Sequence, residues 1–185
     1  MADKPVTSDS VQRTVGNTVS SAEEFGRLYE IYLPKIYQYA CYRVADKEAA
    51  EDLTSDIFNK ALDGFKRFDS EKASFSTWIF SIARNTIIDY YRKHAKELKV
   101  IRDNELENSL GSDSPEEKLS RSEEMARLRE CIVKLNDNEQ ELISLKFSST
   151  MTNREIARIT GLSESNVGTI LCRAIRKLRD NFSGW

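Results

Sequence analysis

The chain has one histidine, His94, and three cysteines, Cys41, Cys131 and Cys172, in 185 residues. The cysteines lie far apart with no C-x-x-C spacing, which excludes a disulfide framework and fits a reducing cytosol. One histidine cannot build a histidine-rich zinc site. A Ser-His-Asp triad would have to use His94, which sits in a basic run with Arg92, Lys93 and Lys96. Proline (3) and glycine (7) are scarce, which argues against an all-β chain dense in tight turns and favours helices. No apolar run approaches the roughly 18 residues of a membrane span, and the first residues carry no apolar signal-peptide core. The formal net charge is −2. A uniformly basic nucleic-acid binder is therefore excluded, but a segregated one is not. What remains is a soluble, intracellular, helical chain, expected in the cytoplasm with no metal and no cofactor.

Residues 1–20 are rich in Ser, Thr, Asp and Val without helical period, and are expected as a disordered tail. Ser21 and Glu24 have capping-box spacing, and Phe25, Leu28, Tyr29 and Tyr32 then recur as on one helix face. Pro34 should kink or restart that helix. A second helix is expected over about 46–64, with Ala50, Leu53, Ile57, Phe58 and Ala61 as its apolar stripe and an acidic opposite face. A third, capped by Ser74, should reach about His94 and end in a basic run. Residues 103–118 are acidic, with serines, Gly111 and Pro115 among them, too poor in apolar side chains to fold alone. Further helices are expected over about 116–135 and 137–147, then from a Thr152–Glu155 capping box, then from Ser163. The fold class is all-α: two small helical domains joined by a flexible acidic linker. The expected division is a tail over 1–20, a first domain over 21–96, a linker over 97–118 and a second domain over 119–182. The three thiols are expected as buried, inert side chains, with a redox role as the alternative.

Residues 153–172 meet the requirements of a helix-turn-helix. Ala157 is small where two helices cross. Gly161, four residues on, suits a left-handed turn. Leu162 plugs the turn, Ser163 can cap the next helix, and Val167 and Ile170 face back to Ile156. Such a unit offers its second helix to a major groove. That helix carries Ser165, Asn166, Thr169, Arg173, Arg176, Lys177 and Arg179, so an acidic chain hides a basic reading head. The plainer alternative is a protein-binding helical hairpin with solvated charges. In the first half, Phe75, Trp78, Phe80, Tyr90 and Tyr91 interleave with Arg84, Arg92 and Lys93. Aromatics with cations make a stacking platform for single-stranded bases. By spacing alone, Phe75 and Trp78 read as core.

Three strings carry a resemblance: Asp52-Leu53-Thr54-Ser55-Asp56-Ile57-Phe58, then residues 75–85 from Phe75 through Trp78 to Arg84 and Asn85, then Val167-Gly168-Thr169-Ile170 with Arg173. In this order and spacing the chain resembles bacterial sigma-70-family sigma factors, most closely the extracytoplasmic-function group, over about residues 22–182. The resemblance implies a non-enzymatic partner of core RNA polymerase and promoter DNA, with an anti-sigma protein as a further partner. It implies that Asp52, Leu53, Ser55, Asp56 and Phe58 dock on the polymerase, although the family usually has Gln where this chain has Ser55. It places Trp78, Arg84, Asn85, Arg92 and Lys93 on a melted −10 strand. It places Ser165, Asn166, Thr169, Arg173, Arg176 and Lys177 on a duplex −35 element. Leu171 and Cys172 stand where relatives often have basic residues and Ser, so either the reading face is narrower here or both face the core. The short linker leaves no room for a third sigma domain, and the end at Trp185 implies no further C-terminal one. The competing class is a conventional helix-turn-helix regulator with a sensor or dimerisation domain in its first half, which would have no reason to carry the Trp78–Asn85 string.

Overall fold

In a computed structural model, the backbone is described for residues 9–44, 46–104, 127–128, 130–132 and 134–183, and side chains for 21–44, 46–94, 127–128, 130–132 and 134–181. Among the described residues six helices follow one another: α1 (Asp9–Arg43), α2 (Lys47–Phe65), α3 (Phe75–Asn104), α4 (Asp137–Ser148), α5 (Asn153–Thr160) and α6 (Glu164–Ser183). Residues 127, 128 and 130–132 are also helical, and no strand occurs among the described residues. The all-α expectation holds.

Helix α1 begins earlier than the expected end of the tail at residue 20. Once its packed portion is formed, adding turns outward needs no new nucleus. Ser21 therefore lies inside the helix and is not its cap. Pro34 also lies inside α1. It is exposed, as is Glu30 one turn before it, so the carbonyl that loses its partner faces water. Helix α3 likewise runs on to Asn104, past the expected start of the linker. The linker's residues 105–118 and the beginning of the helix expected at 116–135 lie outside the described residues.

The first half is a three-helix unit. Ile36, Tyr39 and Ala40 of α1, Ala50, Leu53, Ile57, Phe58 and Ala61 of α2, and Phe75, Ile79, Phe80, Ala83 and Ile87 of α3 are buried. Each large side chain among them contributes roughly 1.5–3 kcal/mol by leaving water. Its base is aromatic: Phe68 lies 5.6 Å from Phe75 and 5.0 Å from Trp78, ring centre to ring centre. Gly64 makes room for this cluster. A Cβ there would come within 3.2 Å of the Trp78 ring.

The second half wraps α4, α5 and α6 around Ile132, Leu135, Leu142, Ile143, Leu145, Met151, Ile156, Val167, Leu171 and Ala174. Helix α4 buries Leu142, Ile143, Ser144 and Leu145 in succession, because it is covered on two sides, by α6 and by α1. The two expected halves are therefore in direct contact. Helix α4 lies along α1, α5 lies against α3, and the buried apolar side chains of both halves form one contiguous cluster.

Caps define the helix starts. Asp46 accepts from the Ala49 amide (2.8 Å), Ser74 from that of Thr77 (3.2 Å) and Ser163 from that of Asn166 (3.2 Å). Asn136 and Glu139 form a capping box beyond those expected, and Thr152 and Glu155 form the expected one. The Glu155 carboxylate accepts from the Thr152 amide (2.8 Å) and hydroxyl (2.9 Å). The Thr152 amide, then its hydroxyl, hold this carboxyl below its ordinary pKa. A depressed carboxylate stabilises the fold fully above its unfolded pKa, and that contribution fades as pH falls through the folded one. Thr152→Ala should cost about 0.5–2 kcal/mol at neutral pH; the share from the lost hydroxyl–carboxylate bond should fade as pH falls below the ordinary carboxylate range, while the share from the lost cap to the Glu155 amide stays. Denaturant titrations on both sides of that range measure this; a gap independent of pH contradicts the assignment.

Candidate nucleic-acid interface

The turn between α5 and α6 is built as its sequence requires. Gly161 closes α5 with φ at 76°, and its amide donates to the Ala157 carbonyl. That left-handed backbone is open to glycine without a Cβ penalty. Leu162 packs on the core below the turn. Val167 is fully buried and Ile170 half-buried, so the inner face of α6 is fixed against α5 and α4. Everything on its outer face is thereby presented to solvent as a rigid surface.

That outer face carries Ser165, Asn166, Thr169, Cys172, Arg173 and Arg176, all exposed. Positions 165, 169, 172 and 176 follow the helical repeat, and with Gly168 and Arg173 they line a shallow concavity of about 450 Å³. The Thr169 hydroxyl donates to the Ser165 carbonyl (3.0 Å). Arg173 and Arg176 have the fork geometry for guanine edges or phosphates, and Asn166 has the amide geometry for adenine. Lys177 differs. Its ammonium donates to both carboxylate oxygens of the buried Glu139 (2.7 and 2.9 Å), so it first ties α6 to the start of α4. The two alternatives for Leu171 and Cys172 divide: Leu171 is core and Cys172 is on the exposed outer face.

Cys172 also departs from the expected burial of all three thiols. Cys41 and Cys131 are buried and Cys172 is exposed, because its register on α6 is that of Ser165 and Thr169. N-ethylmaleimide should modify Cys172 alone in the folded protein and weaken duplex binding at least about tenfold, as losing one good groove contact does. Mass spectrometry with a mobility-shift titration measures both; full affinity after complete modification contradicts the placement.

On α3, Asn85, Arg92 and Lys93 are exposed, Trp78 and Arg84 half-buried. Trp78, Asn85 and Arg92 recur every seven residues, which puts them on one stripe with roughly 10 Å between successive members. Trp78 has one side against Phe68, Phe75 and Phe65, so it is both core and edge. Arg92 makes a loose 3.5 Å pair with Asp89 and is largely solvated. Tyr90 stacks on His94 at 4.4 Å. Arg84 is committed elsewhere: its Nε and Nη2 donate to the two oxygens of Glu141, at 2.8 and 3.4 Å.

The set expected to dock on the polymerase splits. Asp52, Ser55 and Asp56 are exposed on α2, and the Ser55 hydroxyl donates to the Glu51 carbonyl (3.1 Å). Leu53 and Phe58 are buried, with the Phe58 ring 4.7 Å from that of Tyr29. These two shape the helix from beneath and are not surface contacts. Among the described residues no cluster of His, Cys, Asp and Glu could hold a metal ion, and no helix is long and apolar enough to cross a membrane.

A helix-turn-helix with a basic outer face, joined to a three-helix unit with an aromatic and basic stripe, defines a two-part helical protein of the DNA-binding class. Comparison with known proteins makes the class specific. The sigma-70 region 2 family model matches residues 28–97, and the sigma-70 region 4 model residues 125–178. The chain is 36% identical over 157 residues to the RNA polymerase sigma factor YlaC of Bacillus subtilis, covering 84% of this chain and 90% of that protein. It is 35% identical over 157 residues to the extracytoplasmic-function (ECF) sigma factor BldN of Streptomyces coelicolor, covering 85% of this chain but 60% of that longer protein. The fold is similar to that of the sigma factor RpoE of Bartonella quintana, solved in complex with the anti-sigma factor NepR, with a TM-score of 0.69 at 20% identity over 87% of this chain and 98% of that one. The chain belongs to the ECF group of sigma-70 RNA polymerase sigma factors.

Proposed function

We propose that the protein works in the cytoplasm as an alternative sigma subunit. It binds core RNA polymerase, brings it to two-part promoters and stabilises the opened −10 region. The observation that carries this reading is the pairing, in one chain, of an exposed groove-reading face on α6 with an exposed Asn85, Arg92 and Lys93 platform on α3. On α6, Ser165, Asn166, Thr169 and Arg173 read −35 base edges, while Arg176, Arg179 and the part of Lys177 left free by Glu139 hold phosphates. Phosphate contacts add affinity without sequence. On α3, Asn85 selects a base turned out of the stack, with Arg92, Lys93 and Arg84 on the strand backbone. Binding an extruded base offsets part of the unstacking cost, so opening can be favoured without ATP hydrolysis. Asp52, Ser55 and Asp56 are the docking surface for polymerase. Region 2 spans 21–96 and region 4 spans 119–182, with 97–118 between them. The protein is not itself an enzyme; nucleotidyl transfer belongs to the polymerase. The solved relative with NepR supports an anti-sigma protein as a further partner.

Size-exclusion chromatography of the purified chain with core RNA polymerase tests this. One-to-one co-elution is the expected result, weakened by charge reversal at Asp52 and Asp56. Failure to bind an active core would favour an autonomous helix-turn-helix regulator.

A further inference from the structure

Helix α6 is tied to α4 by a lysine and a buried carboxylate. The Lys177 ammonium donates to both oxygens of Glu139, at 2.7 and 2.9 Å. Only 7% of the Glu139 side chain is exposed, against 55% of that of Lys177. Glu139 is also held on its own helix. Its amide donates to the Asn136 side chain (2.9 Å), and its carboxylate accepts from the Asn136 amide (3.2 Å). It sits in the first turn of α4, where the helix dipole favours a negative charge. The carboxylate is thus a fixed post, and the lysine is the part that comes to it.

A second lysine does the same for α5. The Lys146 ammonium, near the end of α4, donates to the Met151 carbonyl (2.9 Å) and the Asn153 side chain (3.4 Å), where α5 begins. Helix α4 therefore holds the first helix of the reading unit at its start and the second near its end.

The place of Lys177 on α6 gives this clip its consequence. Leu171, Ala174 and Leu178 are on the buried stripe of α6. Asn166, Ile170, Arg173 and Lys177 follow the helical repeat along the edge between that stripe and the outer face. Apolar burial is non-directional, so it fixes the seating of α6 more firmly than its roll. A charge-assisted bond to both oxygens of a carboxylate is directional. At a radius of roughly 5–6 Å with side chains, a roll of about 20° moves a side-chain tip by about 2 Å. That breaks hydrogen bonds that reach only to about 3.2 Å. Asn166 and Arg173 stand on the edge that Lys177 pins.

We propose that Glu139 is a positioning residue for −35 recognition: without touching DNA, it sets through Lys177 the roll of α6 that aims Asn166 and Arg173 at base edges. This rests on the reading of α6 as the groove reader. A lysine has three N–H donors, so the clip leaves one for phosphate.

The test uses the polymerase-bound protein. It compares a duplex carrying the −35 element of a start site mapped for this protein with the same duplex after that element is scrambled. The ratio of the two affinities reads base recognition, and the salt dependence reads phosphate contacts. Glu139→Gln removes the charge and keeps the cap, since glutamine also serves in a capping box. It should lower the ratio about tenfold, the loss expected when one good base contact goes, with the salt slope unchanged. Lys177→Met should lower the ratio as far and flatten the slope by about one. Lys177→Arg, which keeps a bond to both oxygens, should restore the ratio. A merely structural role, or a phosphate contact alone, lowers both affinities together and leaves the ratio where it was. A thermal melt shows which variants are folded; if Glu139→Gln is not, Lys177→Met carries the test. An unchanged ratio in either folded variant would overturn the proposal. Arg173→Ala separates it from the reading beneath it. If that variant also keeps the ratio, α6 is not the −35 reader; if it lowers the ratio while Glu139→Gln does not, only the positioning role fails.

Discussion

The Asn85→Ala, Arg173→Ala double variant should lose promoter-specific initiation by about 30-fold to 10⁴-fold, taking each lost base contact at roughly 1–3 kcal/mol. In the proposed function the two residues serve different promoter elements, so their effects should add. Both side chains are exposed, so the variant should unfold at the wild-type temperature. Single-round transcription from a promoter assigned to this protein measures the loss, and a thermal melt controls for folding. Arg176→Ala and Arg92→Ala should behave differently: as proposed phosphate contacts, their loss should lower affinity on all sequences alike and flatten the salt dependence. Normal promoter choice by the double variant would overturn both base-reading assignments.

Ile156→Ala should be among the most destabilising single changes in the second half. Helix α5 has eight residues and Ile156 is its one buried side chain, fully enclosed. The rest of α5 is held by its caps and by half-buried Ala157 and Ile159. Removing a buried isoleucine costs about 2–5 kcal/mol, a large share of the roughly 5–15 kcal/mol that holds a domain. In a chain of this size that corresponds to a fall in melting temperature of roughly 4–20 °C. The recognition helix would lose the support that fixes its inner face, so duplex binding should fall although no DNA contact is touched. A melt within a degree of wild type would show that α5 is not anchored as described.

The helix-turn-helix was legible because each of its positions has one physical job. Gly161 must be left-handed, Ser163 must cap, and Val167 must be buried; periodicity and spacing reveal all three. The first half was legible through its apolar stripes. Two things were not. The full extents of α1 and α3 escaped, although the four-residue spacing of Val11, Val15 and Val19 is a helical signal for the early start of α1. The contact between the halves escaped because Arg43, Gln140, Arg84 and Glu141, which meet across it, look like ordinary surface residues in sequence. Arg43 and Glu141 lie 98 positions apart, and nothing local tells a buried ion from a solvated one. The engagement of Lys177 by an ion pair escaped for the same reason. Its partner Glu139 is a capping residue on another helix. Leu53 and Phe58 belong to the apolar stripe of α2, and their burial could have been read from that stripe alone.

The measurement that tests the central claim most directly is transcription of a fragmented genomic template by purified core polymerase, with and without the protein, with start sites mapped. A sigma subunit predicts a small set of new starts that share one upstream two-part element and vanish with the Asn85→Ala, Arg173→Ala variant. The same starts from core alone, or new starts with no common element, would contradict it.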